Sequence, residues 1–324
     1  MSSKMQKGAD IVIHRWCQLK RGEKLLIITD HSHLRESAAL QKSAEIIGAF
    51  VVTIVIPENC TQAGTLFDSM LEFLLSNDVI IGATNYSLIT TRAVREVLTH
   101  GSRYLSLPLS TNNGRSMLAF DFMGMDPEEA RRCSANMIHY LNESDTVRIT
   151  TPLGTNLTFG KKGRTAGLFH GMASHPGQVG SSSFEVYIGI EETKTNGHAV
   201  LDGSMGYVGR PPEHIQLEFR DGRLASIEHN ESGIFLQDYM ERFGDPGIFV
   251  AGELGIGLNK KSRCLGNCYI EDESTYGTFH IGMGRNLALG GVHDAAGHFD
   301  LVFHSPTIYA GDVVIMKDGL VVAS

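Results

Sequence analysis

The first 145 residues alternate short apolar runs with segments that carry apolar side chains at helical spacing. Lys24–Asp30 and Phe50–Ile56 are apolar runs of the kind that parallel sheets bury. Residues 33–49, between them, have a helical pattern. The same reasoning predicts further elements: helices at 66–75 and 91–98, strands at 79–82 and 104–107, and a helix from Asp126 to about Tyr140. This alternation predicts a parallel sheet covered by helices.

From Asp145 onward the pattern becomes mostly β. A hairpin is predicted from 146–150 and 157–159, and Asp221-Gly222 is a strong hairpin turn signal. Further strands are predicted at 185–190, 198–202, 214–219, 224–229, around Phe249, 277–284 and 298–303, with one helix at 235–243. We therefore predict an α/β protein: an amino-terminal parallel-sheet scaffold domain, residues 1–144, followed by a β-rich metal-binding domain, residues 145–324, built on a curled antiparallel sheet.

Charge and composition exclude several classes of protein. The net charge is −8, from 28 basic and 36 acidic residues, which argues against a protein that tracks nucleic-acid phosphates. No apolar run approaches the roughly 20 residues that span a bilayer, and residues 1–10 lack a signal-peptide core. The five cysteines are odd in number and scattered, so no disulfide framework is expected. We expect a cytoplasmic protein without membrane or nucleic-acid partners.

The densest chemical signal lies between Gly290 and Asp300. His298 and Asp300 are two residues apart on a predicted strand, so their side chains project from the same face. An imidazole nitrogen and a carboxylate oxygen that converge form half of a typical divalent-metal shell. Taken alone, the pair is more typical of a surface histidine beside an aspartate in a strand than of a metal site.

Three residues elsewhere support a metal site. His280 lies on an apolar strand flanked by glycines, and Glu253 and Glu185 each interrupt an apolar run. A buried carboxylate without a partner is costly, and a metal ion is a suitable partner. The two histidines and three carboxylates together suit one or two divalent ions.

Other polar segments are weaker candidates. Residues 271–273 are interpreted as a solvated turn. Two alternatives stay open: these acids support the metal site, or the general base lies at or near Glu273. His170 and His175 lie in a loop able to close over the site and contact substrate. The turn after the first strand, residues 30–33, has no GxGxxG motif, so dinucleotide binding is not predicted.

On these motifs the sequence resembles the aminopeptidase T and aminopeptidase S metallopeptidases, the leucyl aminopeptidase-like group. The resemblance covers the last 180 residues well and is carried by Glu185, Gly252-Glu253-Leu254, His280 to Gly284 and His298-Phe299-Asp300. It implies that Glu185, Glu253, His280, His298 and Asp300 are ligands of zinc, cobalt or manganese, and that the protein is a homo-oligomer, a dimer or larger. At the position of the family's active-site tyrosine, this sequence has a leucine, Leu287.

The sequence is also similar to 2,5-dihydroxypyridine 5,6-dioxygenase, a non-haem iron(II) enzyme related to these peptidases. Residues 236–246 and the overall length carry this similarity. The ligand sets differ, because the dioxygenase has a histidine in place of Glu253, a serine in place of Gly282 and no carboxylate in place of Glu185. In this alternative, His280, His298 and either Asp300 or Glu253 hold Fe(II), and a hydroxylated pyridine-type N-heterocycle is opened with His170 or His175 as acid or base.

Ligand type decides which metals and chemistries are possible. We therefore give the ligand residues more weight than the similarity in residues 236–246 and in overall length. The resulting prediction is a metal-dependent aminopeptidase-like hydrolase that removes amino-terminal residues from small peptides with metal-activated water. Its candidate catalytic residues are Glu253, His170 and His175. The dioxygenase acting on a small molecule is the alternative, and a binding protein without turnover is the third reading.

Overall fold

Two units organise the chain, as seen in a computed structural model that describes residues 3–58, 66–67, 70–89 and 91–322. The first unit comprises residues 1–127 and 169–183, and the second comprises residues 128–168 and 184–324. The chain therefore enters the second unit, returns to the first, and leaves it again. The division by contacts does not follow the predicted boundary near residue 144, which stays a prediction about domains.

The first unit is built on a parallel sheet with strand order β2-β1-β3-β4-β8. Its strands are β1 (Lys24–Asp30), β2 (Phe50–Ile56), β3 (Val79–Ala83), β4 (Arg103–Ser106) and β8 (Val179–Ser181). Strand β1 pairs in parallel with both β2 and β3, which makes it an interior strand. Its apolar side chains are accordingly buried, as the uninterrupted apolar run predicts.

Helices accompany these strands. They are α1 (Ser3–Asp10), α2 (Leu34–Ile47), α3 (Leu71–Leu75) and α4 (Arg92–Thr99), and a π-helical turn, Ile11–Trp16, follows α1. The α2 helix ends at Gly48, whose φ of +83° suits the left-handed conformation common after a helix. Part of the helix predicted at 66–75 falls outside the described residues. The helical segment from Ser3 to Trp16 was not predicted.

The second unit contains α5 (Pro127–Asn142) and two antiparallel sheets. One sheet has the order β12-β11-β10-β6-β5-β16-β17-β18. Its strands are β5 (Thr146–Thr150), β6 (Asn156–Gly160), β10 (Asn196–Leu201), β11 (Ile215–Arg220), β12 (Arg223–Ile227), β16 (Thr307–Ala310), β17 (Val313–Lys317) and β18 (Leu320–Val321). Helix α6 (Glu231–Glu241) follows β12, and the Asn230 side chain caps it by accepting a hydrogen bond from the Gly233 amide.

The other antiparallel sheet, called the site sheet below, has the order β15-β14-β13-β9-β7. Its strands are β7 (Gly167–His170), β9 (Phe184–Gly189), β13 (Ala251–Gly257), β14 (Thr278–Gly284) and β15 (His298–His304). One face is apolar, with the rings of Phe279 and Phe303 stacked at a centroid distance of 4.7 Å. A short helix, α7 (Tyr269–Ser274), precedes β14.

The predicted α/β class is confirmed, with a parallel sheet first and antiparallel structure after it. Two details were wrong. The second half forms two antiparallel sheets rather than one curled sheet, and residues 271–273 lie in the buried helix α7 rather than in a solvated turn. Three consecutive acids carry no apolar spacing, so no pattern in this segment indicates that it is buried. None of the helices described is long and apolar enough to cross a membrane.

Candidate metal centre

The candidate centre occupies one face of the site sheet, because residues two apart on a strand point the same way. Strands β9, β13 and β14 contribute Glu185, Glu253 and His280, and β15 contributes both His298 and Asp300. The antiparallel register pairs these side chains with glycines on the neighbouring strands. The structure therefore brings together all five residues that the sequence singled out as metal ligands.

Glycines on this face leave room for the two imidazole rings. Gly255 pairs with His280 across the sheet, and a Cβ on Gly255 would lie 1.9 Å from the Nε2 atom of His280. A Cβ on Gly282 would lie 2.6 Å from the Cε1 atom of His298. Neither contact is sterically possible without movement of a ring. The glycine-rich character of these strands therefore follows from the size of the site's side chains.

The ligand atoms converge at short distances. The His280 Nε2 atom lies 2.7 Å from Glu185 Oε2. The His298 Nε2 atom lies 3.1 Å from Glu253 Oε2 and 3.3 Å from Asp300 Oδ1. These residues form two groups, Glu185–Glu253–His280 and Glu253–His298–Asp300, and in each the ligand atoms lie within 4.8 Å of one another. Glu253 belongs to both groups, which makes it the centre of the cluster.

Burial and charge determine the protonation of the two histidines. All five residues of the cluster are at most 5% exposed. Burial by itself lowers the pKa of His280, but the charges of Glu185, Asp300 and Glu253 outweigh it and raise this pKa to about 9. Burial also opposes the charge of His298, and Asp300 and Glu253 raise its pKa well above the usual value. Without a metal, both rings are therefore imidazolium ions that compensate the acids.

The two carboxylates nearest His298 have opposite tendencies. Burial acts to raise the pKa of Asp300, but His298 and then His280 outweigh it, so that this pKa falls below its ordinary value. Burial raises the pKa of Glu253, and hydrogen bonding to His298 only partly offsets it. Asp300 is thus the more firmly ionised of the two, and Glu253 holds a proton more readily.

Neighbouring groups orient the side chains of the cluster. The Nδ1 atom of His298 lies 2.8 Å from the Arg285 carbonyl oxygen, so Nδ1–H donates there and Nε2 is directed to the cluster. The Tyr269 hydroxyl donates to Asp300 Oδ2, and the Tyr269 ring stacks on Tyr207 at 4.1 Å. Sequence reasoning missed both tyrosines, because they lie outside the strand motifs and carry no spacing that points to the cluster.

Glu273, at the end of α7, lies against the same cluster. It is buried, and burial followed by the charges of Glu185 and Asp300 raises its pKa well above the ordinary value. Its carboxyl lies beside the Asp300 carboxylate, and this proximity favours a proton on Glu273. Glu273 is therefore a neutral acid next to the ionised Asp300.

This donor set fits a divalent cation. Two imidazole nitrogens and several carboxylate oxygens are donors that Fe²⁺, Zn²⁺ and Mn²⁺ all accept. A dication would also carry the same charge as the two histidine protons that it displaces, so the buried acids would stay compensated. A divalent metal is accordingly the group that these residues suit.

The two other predicted catalytic histidines belong to the first unit. His170 is half-buried at the end of β7, and His175 is exposed. The Nδ1 atom of His175 lies 3.0 Å from Ser174 Oγ and 3.3 Å from Gln178 Oε1. Their acid–base roles stay predictions.

Comparison with known proteins places these observations in a family. Residues 12–323 match the family described as NicX, 2,5-dihydroxypyridine 5,6-dioxygenase. The 2,5-dihydroxypyridine 5,6-dioxygenase of Pseudomonas putida is 28% identical over 120 residues, 34% of each chain, so the match spans about a third of that relative's length.

Two solved structures share the fold. The 2,5-dihydroxypyridine dioxygenase of Pseudomonas putida KT2440 superposes with a TM-score of 0.83 at 20% identity, over 100% of this chain and 99% of the other. AmpT from Thermus thermophilus gives a TM-score of 0.63 at 13% identity, over 99% of each chain.

The predicted aminopeptidase-like hydrolase is therefore wrong, and so is membership of the peptidase family itself. The peptidase is a distant structural relative, whereas the family match extends along nearly the whole chain. The error came from giving the ligand types more weight than the similarity of the rest of the chain. Histidine and carboxylate donors serve both hydrolases and oxygenases, so they do not distinguish the two. The chain belongs to the NicX family of 2,5-dihydroxypyridine 5,6-dioxygenases.

Proposed function

We propose that the protein is an iron(II)-dependent dioxygenase that opens the ring of a hydroxylated pyridine-type N-heterocycle. The observation that carries the proposal is one buried sheet face that holds His280, His298 and a firmly ionised Asp300, in two ligand groups joined by Glu253. Two histidines and one carboxylate with open positions are typical of non-haem iron(II) oxygenases. Membership of the NicX family supports the same reaction class.

His280, His298 and Asp300 are the residues that we assign to holding the iron. Asp300 is preferred over Glu253 because its pKa is low and because Tyr269 donates a hydrogen bond to it. When bound, iron(II) would supply the site at which a ring hydroxyl oxygen of the substrate and dioxygen are brought together, and it would pass electrons between them. Glu185, which contacts His280 at 2.7 Å, offers a further oxygen ligand or a charge partner.

Glu253 is the residue that we assign as general base. Its pKa is raised, mainly by burial, and its Oε2 atom lies 3.1 Å from the His298 ring. A carboxylate with a raised pKa accepts a proton more readily near neutral pH than an ordinary one does. Glu253 would therefore take the proton of a substrate hydroxyl as that oxygen approaches the metal. We also propose that His170 or His175 later donates a proton to the opening ring.

Oxygen consumption tests the proposal. The protein is loaded anaerobically with iron(II), and 2,5-dihydroxypyridine is added in an oxygen electrode. We expect oxygen uptake equimolar with loss of the pyridine absorbance. Zinc-loaded protein and the His298→Ala variant are the controls, and both should be inactive. Iron-loaded protein that retains its metal and consumes no oxygen with this substrate would refute the proposed reaction.

A further inference from the structure

A cavity of about 640 Å³ lies within the first unit, at the carboxyl ends of its parallel strands. Ser32 and His33 line it directly after β1, Asn85 lines it after β3, and Leu109 and Thr111 line it after β4. Parallel α/β sheets bind ligands at this end of the sheet, where loops rather than strands present side chains. All its lining residues fall between residues 3 and 119, so the cavity belongs to this unit alone.

The cavity lies where the strand order reverses. The order β2-β1-β3-β4 means that the chain leaves β1 for one neighbour and later returns to its other neighbour. The connections after β1 and β3 therefore diverge and leave a crevice between them. The Nε2 atom of His33 and Oδ1 of Asn85 lie 3.5 Å apart across this crevice, and Asp30 accepts a hydrogen bond of 2.6 Å from the Asn85 amide. These contacts fix the two rims.

The lining is predominantly cationic. Lys4, Arg35 and Arg115 all line the cavity. Lys4 is 3.6 Å from Asp121 Oδ1, so the two arginines are the main cations, and the Arg115 guanidinium is held over the Phe120 ring at 5.1 Å. The buried hydroxyl of Ser116 has no hydrogen-bond partner among the described residues. A cavity with several cations and a free hydroxyl is suited to an oxyanion, since arginine binds carboxylate and phosphate through paired hydrogen bonds.

One acid accompanies these cations. Glu36 lines the cavity and is 8% exposed. A carboxylate in this position would repel a simple anion but would accept a hydrogen bond from a ligand hydroxyl or amine. The cavity thus combines an anion-binding side with an acceptor for a donor group.

We propose that this cavity is a second ligand site, separate in sequence from the metal cluster, that binds a small organic oxyanion. Arg35 and Arg115 hold its carboxylate or phosphate, Ser116 donates to it, and Glu36 accepts from a hydroxyl or amine. The volume suits ligands up to about the size of a mononucleotide. Side chains must hold the anion, because residues 30–33 lack the glycine-rich loop that cradles phosphates with backbone amides. This inference does not depend on the proposed dioxygenase activity.

Calorimetric titration of the intact protein tests the proposal with three probes: inorganic phosphate, malonate and adenosine 5′-monophosphate. The probes distinguish a free phosphate, a dicarboxylate and a larger phosphate ester. We expect at least one to bind, and Arg35→Ala and Arg115→Ala each to weaken that binding by about tenfold or more, as loss of a charged hydrogen bond should. Arg95→Ala is the matched control, because Arg95 is an exposed arginine of the same unit outside the lining.

Glu36→Gln should change the anion affinity in the opposite direction to the two arginine variants. Removing the one lining acid should strengthen phosphate or malonate binding several-fold, which a merely structural role for Glu36 would not do. The proposal is overturned if no probe binds at about 10 mM, a concentration well above a millimolar Kd. It is also overturned if Arg35→Ala and Arg115→Ala bind as the unaltered protein does, or if Arg95→Ala loses as much affinity as they do.

Discussion

At the scale of single residues, the metal cluster is a problem of charge and space. Three buried carboxylates near two imidazoles are tolerable only because the rings are protonated or a cation replaces their protons. Space is equally limiting, since Gly255 and Gly282 stand where any Cβ would strike a histidine ring. The residues around the cluster therefore determine which protons and which atoms it can hold.

Asp300 and Glu253 should have separable roles. We expect Asp300→Asn to weaken iron(II) binding by more than about tenfold, since even groups behind a ligand contribute that much. Glu253→Gln should leave iron affinity within a few-fold but lower kcat by about a hundredfold or more, as loss of a general base does. Anaerobic titration with iron(II) and an oxygen electrode measure the two effects. The reverse pattern would exchange the roles assigned to these carboxylates.

Gly255→Ala should disturb the metal site without removing any ligand. Its Cβ would displace the His280 ring, so we expect iron affinity to fall by more than about tenfold while far-ultraviolet circular dichroism stays unchanged. Should this variant fail to fold, Gly282→Ala makes a milder contact of 2.6 Å and applies the same test to His298. Ile256→Val, on the opposite face of β13, is the control: it should cost about 1 kcal/mol of stability and leave iron affinity intact. Unchanged iron binding in both glycine variants would contradict the packing described above.

The sequence reveals the residues of the cluster better than their surroundings. Glu185 and Glu253 were identified because an acid inside an apolar strand needs a partner, and His298 and Asp300 because of their spacing. Tyr269 reaches Asp300 from a helix, a relationship that only the folded chain creates. The reaction class was misjudged because the same donor types serve both hydrolases and oxygenases.

At the scale of elements, regular apolar patterns predicted strands and helices correctly, whereas segments with irregular patterns were missed. Strands β1 and β2 begin and end where their apolar runs do. Strands β16 to β18 were missed because they are short and their buried and exposed positions form no long apolar run. Helix α7 was missed because its six residues include three consecutive acids, yet the fold buries all of them.

The burial of helix α7 should make the stability of the protein depend on pH. Burial raises the pKa of Asp272 to about 7, so the folded protein keeps a proton that the unfolded chain releases above pH of about 4. This contribution to stability is present at low pH and is lost as the pH rises toward 7. Asp272→Asn does not titrate but can still accept from the amides of Leu265 and Gly266.

The stability of Asp272→Asn relative to the unaltered protein should therefore increase between pH 4.5 and 7, by up to about 1.4 kcal/mol per pH unit. Urea unfolding of the metal-free proteins at several pH values measures the difference, and titrations common to both proteins cancel. A difference that is constant across this range would show that Asp272 does not retain its proton in the folded state.

At the scale of the whole molecule, the two units carry different chemistry. The second unit concentrates buried acids and histidines on one sheet face, which suits a metal ion. The first unit presents exposed arginines around a cavity at the ends of its parallel strands, which suits an anion. The parallel sheet lies in the first unit and the antiparallel sheets follow it, but the chain crosses between units more than once, and the predicted domain boundary at residue 144 stays a prediction.

The proposed dioxygenase requires iron(II) on the buried face of the site sheet, held by His280, His298 and Asp300. Crystals grown anaerobically with iron(II) allow the metal to be located by anomalous diffraction at the iron edge. We expect an iron peak within about 2.3 Å of the Nε2 atoms of both histidines and of an Asp300 oxygen, at distances usual for such ligands. An iron peak elsewhere in the molecule, or none on this face in crystals that contain iron, would contradict it.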